Sequence, residues 1–127
     1  MTRSHAIEAY GRRSRPGLGP RAAEAHAFAK AARLLEDARH ATGDRAMRAQ
    51  ALRFNRLIWT ILQAELSAPG NGLPSMLRAD LISLSLYVDR QTATALADSD
   101  PRHLVPLIEI ARAVAQGQLG TRSLSAN

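Results

Sequence analysis

A chain of 127 residues, 46% of them hydrophobic, has the length of one domain and enough apolar side chains for a core without metal or disulfide. It contains no cysteine, which excludes a disulfide framework and thiolate chemistry. Its net charge of +6 comes almost wholly from arginine, Lys30 being the single lysine, so an anionic partner has to be weighed against a plain solvated basic surface.

The charge is uneven. Residues 1–56 carry 12 basic and 5 acidic side chains, a balance of +7, and residues 57–127 carry 5 basic and 6 acidic, a balance of −1. Only Arg12-Arg13-Ser14-Arg15 is dense. The other arginines are interleaved with alanine and acids, which favours the solvated surface over a nucleic-acid footprint. The first ten residues hold no apolar run of the kind a signal peptide needs, and no segment is long enough to span a bilayer. The expected location is the cytoplasm.

Helical periodicity dominates the chain, and no run alternates long enough for a strand. The expected fold is all-α: a single bundle of four main helices plus a short N-terminal helix. That short helix spans about Ser4 to Tyr10, with Ser4 as cap and Ile7 and Tyr10 facing inward. Gly11 to Pro20, with three glycines and two prolines, reads as a linker. The first main helix runs from Arg21 to Ala41, with Pro20 near its start. Phe28, Ala31, Ala32, Leu35 and Ala38 share its inner face, and Lys30, Arg33, Glu36 and Asp37 the outer one. Thr42-Gly43 ends it.

Asp44 is a natural cap for the next helix, which reaches Leu66. On a wheel of about 100° per residue its apolar side chains cover roughly two thirds of the circumference. The polar remainder is a strip of Arg53, Arg56, Thr60 and Gln63. So apolar a helix, carrying the only Trp, is expected to have neighbours on several sides and to form the centre of the fold. Asn55 and Glu65 lie inside its apolar arc. Glu65 is in the last turn, where its carboxylate reaches water. Asn55 is mid-helix, and a buried, hydrogen-bonded amide is its commonest state, contact with a partner the alternative.

Residues 67–72 break the chain, and Pro74 starts a third helix that runs to Ala97. Leu77, Leu81, Leu84, Val88 and Ala95 form one stripe on it, and Ile82, Leu86 and Ala93 a second on the opposite side. Either the helix is sandwiched inside the bundle or the second stripe meets another protein. Asp100 as cap and Pro101 at the first position begin the last helix, which carries Leu104, Leu107, Ile108, Ala111, Val114 and Ala115 on one face and stops at Gly117. Short connections make the 21–41 and 44–66 helices antiparallel neighbours, and likewise the 74–97 and 101–116 helices. Residues 1–117 are read as the domain and 118–127 as a polar, mobile tail. No heptad is sustained, so a long coiled coil is not expected.

Nothing in the chain assembles catalytic chemistry. His5, His26, His40 and His103 lack a metal-ligand partner at helical spacing. Ser83 and Ser85 have no nearby base, and Asp98 and Asp100 are better read as caps than as paired carboxylates. No cofactor, metal or catalytic residue is expected.

The chain resembles the FlaF family, small flagellar-biosynthesis proteins of alphaproteobacteria, in ordered segments: Ala9-Tyr10-Gly11; Phe54 to Leu66; Leu73-Pro74 with Leu77 to Ser85; Tyr87 to Thr92; and Leu107 to Arg112. The resemblance covers residues 6 to about 117. It implies a non-enzymatic protein that supports flagellin synthesis and export, with a role as cytoplasmic chaperone on the way to the flagellar type III secretion apparatus. It also implies work alongside FlbT, a regulator acting on flagellin messenger RNA. The alternative is an RNA-associated regulator of flagellin expression, but aromatic platforms for RNA are few. Taken with the wheel, the expected partner is flagellin, through a terminal amphipathic helix. The expected docking residues are Ile82 and Leu86 as an uncovered ridge, flanked by Arg78 and Asp89, with Asn55 contributing.

Overall fold

The computed structural model describes residues 20–117. Four α-helices run α1 (Pro20–His40), α2 (Arg45–Ser67), α3 (Ser75–Ala97) and α4 (Val105–Ala115), with a 3-10 turn at Pro101–Leu104 leading into α4. No strand occurs among the described residues, and the all-α bundle is the one the periodicity predicts. The short helix expected at 4–10, the linker up to residue 19 and the tail at 118–127 lie outside the described residues.

The helix ends follow local chemistry. Gly43 adopts φ +90°, a left-handed turn that costs glycine nothing, and the chain leaves α1 there. Asp44 then accepts a hydrogen bond from the Met47 amide at 2.9 Å, satisfying one of the first orphan donors of α2. Asp100 caps the next entry through the Arg102 amide at 2.8 Å. The 101–116 segment does not start as an α-helix. Pro106 has no N–H to donate and its ring crowds the carbonyl four residues back, so α-helix can only begin with Pro106 in its first turn. The stretch before it tightens into the 3-10 turn, and the Val105 amide bonds Arg102 O instead.

Every residue of the predicted inner face of α1 is buried: Phe28, Ala31, Ala32, Leu35 and Ala38. Three of these five are alanine, which lets a neighbouring backbone come close. On α4, Leu104 just before the helix and Leu107, Ile108 and Ala111 within it are buried too. The main packing of α4 is against α1, and its contact with α3 is slight. The expected pairing of the 74–97 and 101–116 segments is made mainly through the 3-10 turn, where Gln91 Nε2 of α3 donates to His103 O at 2.9 Å, and only slightly through α4. The 3-10 turn spends the short connection, and the small residues of α1 offer α4 a closer seat. The bundle reads α4, α1, α2, α3 across its layers.

A second expectation also changes. The interior is shared: α1 is flanked by α4 and α2, and the more apolar α2 by α1 and α3. Helix α2 buries Ala51, Leu52, Asn55, Trp59, Leu62 and Leu66, about half its apolar arc. Trp59 is 1% exposed and meets Phe28 edge to face, with ring centroids 5.2 Å apart. Leu57 and Ile61, in the same arc, stand in solvent.

Two arginines fasten α3 to α2 at opposite ends. Arg48 of α2 donates to Ala95 O at 2.9 Å and Asp98 O at 2.8 Å, just where α3 runs out of acceptable partners for its last carbonyls. Arg78 of α3 donates from Nε to Leu66 O at 2.6 Å at the other end.

The Asp98–His103 corner carries its own electrostatics. The Arg102 guanidinium beside Asp100, 2.7 Å from its Oδ2, holds that carboxyl down at about 2 against an ordinary 3.8. A depressed folded value means stability that is present above pH 3.8 and lost as pH falls toward about 2. Asp100→Asn keeps a capping oxygen and removes the charge. Thermal melts across that window are expected to show a shallower acid decline in the variant, by a modest amount because the pair is solvent-exposed. An unchanged slope would place the acid loss elsewhere.

Candidate functional site

The five residues expected at a docking site do not gather into one exposed surface. Leu86 is 52% exposed, as expected, but Ile82 is half-buried and packs against the core. The predicted ridge is thus interrupted. The physical reason is a small rotation of α3: its buried positions are Ser85, Val88, Thr92 and Ala95, shifted from the leucine stripe toward the polar flank. Burying the two hydroxyls costs little, because Ser85 Oγ donates to Ile82 O and Thr92 Oγ1 to Val88 O, each at 2.7 Å within the same helix. Leu77, Leu81 and Leu84 are left half-buried by the same rotation.

Arg78 and Asp89 were expected to flank a bound helix. Arg78 is half-buried and committed to the carbonyl of Leu66, and Asp89 accepts from Gln63 Nε2 at 3.1 Å. Both tie α3 to α2. Asn55 is 1% exposed and lies one turn before Trp59 on the inner face of α2. Neither Asn55 Oδ1 nor Nδ2, nor the indole N–H of Trp59, has a hydrogen-bond partner among the described residues. The structure shows no protein partner for this amide, and a buried polar atom left without one costs about 1–3 kcal/mol.

Other large apolar side chains also stand in solvent. Met47, Leu57 and Ile61 of α2 are 37%, 54% and 50% exposed. Phe54 lies among them, half-buried, with Lys30 Nζ 4.9 Å from its ring centroid. A shallow depression on this side of α2 is lined by Gln50, Arg53, Phe54, Arg56, Leu57 and Thr60. Met76, Leu86, Tyr87 and Leu96 are exposed along α3. Sequence reasoning placed Leu57 and Ile61 in the core, because periodicity shows how wide an apolar arc is and not which part the bundle covers. Spacing does not mark them, since Leu52, Trp59 and Leu66 recur at the same seven-residue interval as Met47, Phe54 and Ile61 and are buried.

Titratable groups add surface pairs. Glu36 holds Arg39 and His40 on its own helix, and these partners keep its carboxyl below the usual range. Arg112 of α4 approaches the same carboxylate at 3.5 Å and links α4 to α1. Among the described residues no three His, Asp or Glu side chains converge as a metal site would need, and no helix is long and apolar enough to cross a membrane.

Comparison with curated proteins found no match, and comparison with solved structures found none either. The family model described as flagellar protein FlaF matches residues 6–118. That span takes in all four helices, the two arginine clasps and the partly exposed face of α2, and the chain belongs to the FlaF family of flagellar proteins.

Proposed function

We propose that this FlaF-family protein is a non-enzymatic chaperone that holds flagellin in the cytoplasm before export through the flagellar type III apparatus. The observation that carries the reading is a small helical bundle of a flagellar family that leaves Leu57, Ile61, Leu86 and Leu96 each at least half exposed. A lone exposed leucine is ordinary, but Leu57 and Ile61 lie one turn apart on α2 and make a continuous apolar strip, which supports a contact with another chain. An amphipathic helix laid in an apolar groove is the mode this scaffold suits, and a terminal helix of flagellin, aggregation-prone while unassembled, is the proposed client.

The test is a binding measurement with purified protein, flagellin and flagellin lacking either terminal segment. Full-length flagellin is expected to bind, with loss of affinity on removal of one terminus. Flagellin leader RNA titrated in parallel against a scrambled control reads the alternative role alongside FlbT. Weak, salt-sensitive and equal binding to both RNAs is the expected result. Leader-specific RNA binding with no affinity for flagellin would replace the chaperone reading by the regulatory one.

A further inference from the structure

We infer that the outer face of α2 is the client seat, and that it is built for an amphipathic helix carrying Asp or Glu beside its apolar stripe. That the client is flagellin rests on the function proposed above; the face and the chemistry of its occupant do not.

Met47, Phe54 and Ile61 recur every seven residues, and Gln50, Leu57 and Ala64 follow each of them by three. This is the spacing at which one helix meets another along a seam, here about 25 Å long at 1.5 Å per residue. Gln50, Leu57, Ile61 and Ala64 are all exposed. The neighbours of α2 lie on its other faces. Trp59 meets Phe28 of α1, while Arg48 and Gln63 reach α3. Phe54 is half-buried against the core at the α1 edge of the seam, and Gln50, Leu57, Ile61 and Ala64 are left uncovered by the described helices.

Charge selects the occupant. Arg53 and Arg56 border the seam on one side, both exposed and without an ion pair among the described residues, and Lys30 stands over Phe54 on the other. Helix α2 has four arginines, Arg45, Arg48, Arg53 and Arg56, against one carboxylate, Glu65. A second copy would set one such helix against another and bring like charges together. The chain's own first nineteen residues hold Arg3, Arg12, Arg13 and Arg15 against Glu8, so they too repel. A helix with carboxylates flanking leucine-like residues satisfies the apolar seam and both cationic rims, and the charges fix its register.

The experiment titrates the full chain with flagellin and with two synthetic helical peptides of about 18 residues. The peptides share one apolar stripe and differ in having Glu or Lys beside it. The Glu peptide is expected to bind and to compete with flagellin, and the Lys peptide to bind at least about tenfold more weakly. Leu57→Ser with Ile61→Ser is expected to weaken the Glu peptide and flagellin by about tenfold or more. Helicity and melting temperature should change little, since both side chains already stand in water. Arg53→Glu with Arg56→Glu should reverse the preference between the peptides, which a merely structural role of these arginines would not do. Met76→Ser, on α3 and also exposed, should leave both affinities unchanged.

Flagellin binding the Leu57→Ser, Ile61→Ser variant as tightly as wild type would overturn the assignment of this face while leaving the chaperone reading in place. Glu-peptide binding that persists while flagellin fails to bind wild type would support the face and remove the chaperone reading. Equal affinity for both peptides would overturn the acidic chemistry. A wild-type dimer that the serine variant converts to monomer would give the face to a second copy, again overturning the proposal. The absence of native cysteine allows one more control: a fast intramolecular disulfide between Ile7→Cys and Ile61→Cys would assign the seam to the chain's own N-terminal segment, against it.

Discussion

Replacing Trp59 with Ala is expected to cost about 3–5 kcal/mol, the range for a large aromatic truncated in a core. Trp59 is among the largest fully buried side chains and packs edge to face on Phe28, so the change opens a hole where α1 meets α2. A domain of this size has only about 5–15 kcal/mol of stability in total, so the variant is expected to be partly unfolded at growth temperature. Urea titration followed by circular dichroism measures this directly. A loss under about 1 kcal/mol would show that the site collapses around the smaller side chain. Native fluorescence freely quenched by iodide in the wild type would contradict the burial itself.

Asn55→Leu is expected to act in the opposite direction, raising stability by about 1–3 kcal/mol. The amide is 1% exposed, and both of its polar atoms lack a partner among the described residues. Leucine keeps the same branched four-atom skeleton and leaves nothing to desolvate; its larger methyl groups must still be packed, which sets the gain at the lower end if the site is tight. The melting temperature should rise by several degrees, with the spectrum unchanged. A lower midpoint would show that the amide is hydrogen-bonded in solution. If stability rises and flagellin binding is untouched, Asn55 has no part in docking, consistent with its place on the inner face of α2 and not on the seam.

Much of the fold was legible because its signals are local. The cap at Asp44, the turn at Gly43, the break around Pro69 and Gly70, and the apolar faces of α1 and α4 each depend on neighbours within a turn or two. The pairing of α4 with α1 was not legible, since it depends on how close two helices far apart in the chain can come. The site was less legible still. Arg78 and Asp89 look like flanks of an open ridge until Leu66 O and Gln63 are seen to engage them. Ile82 looks exposed until α3 is rotated toward Ser85 and Thr92. On α2 the apolar arc is real, but only half of it is core, and one wheel holds no information about where the partners stop. The family resemblance, in contrast, came from the order and spacing of whole segments and survived every local revision.

The partnership of the first described helix with the last has a consequence in time. A bundle that closes in sequence order can begin to settle as each hairpin leaves the ribosome. Here the face of α1 that packs on α4 waits for the segment that carries Leu107, Ile108 and Ala111, more than sixty positions later. During synthesis that face stays open until nearly the whole domain has emerged, and the early hairpin of α1 and α2 stands as half a core. Contacts so distant in sequence slow folding relative to a bundle of the same size with only adjacent pairings. A nascent chain of this family therefore passes through an interval in which it presents the same kind of uncovered helical surface that its mature form is proposed to shield in others.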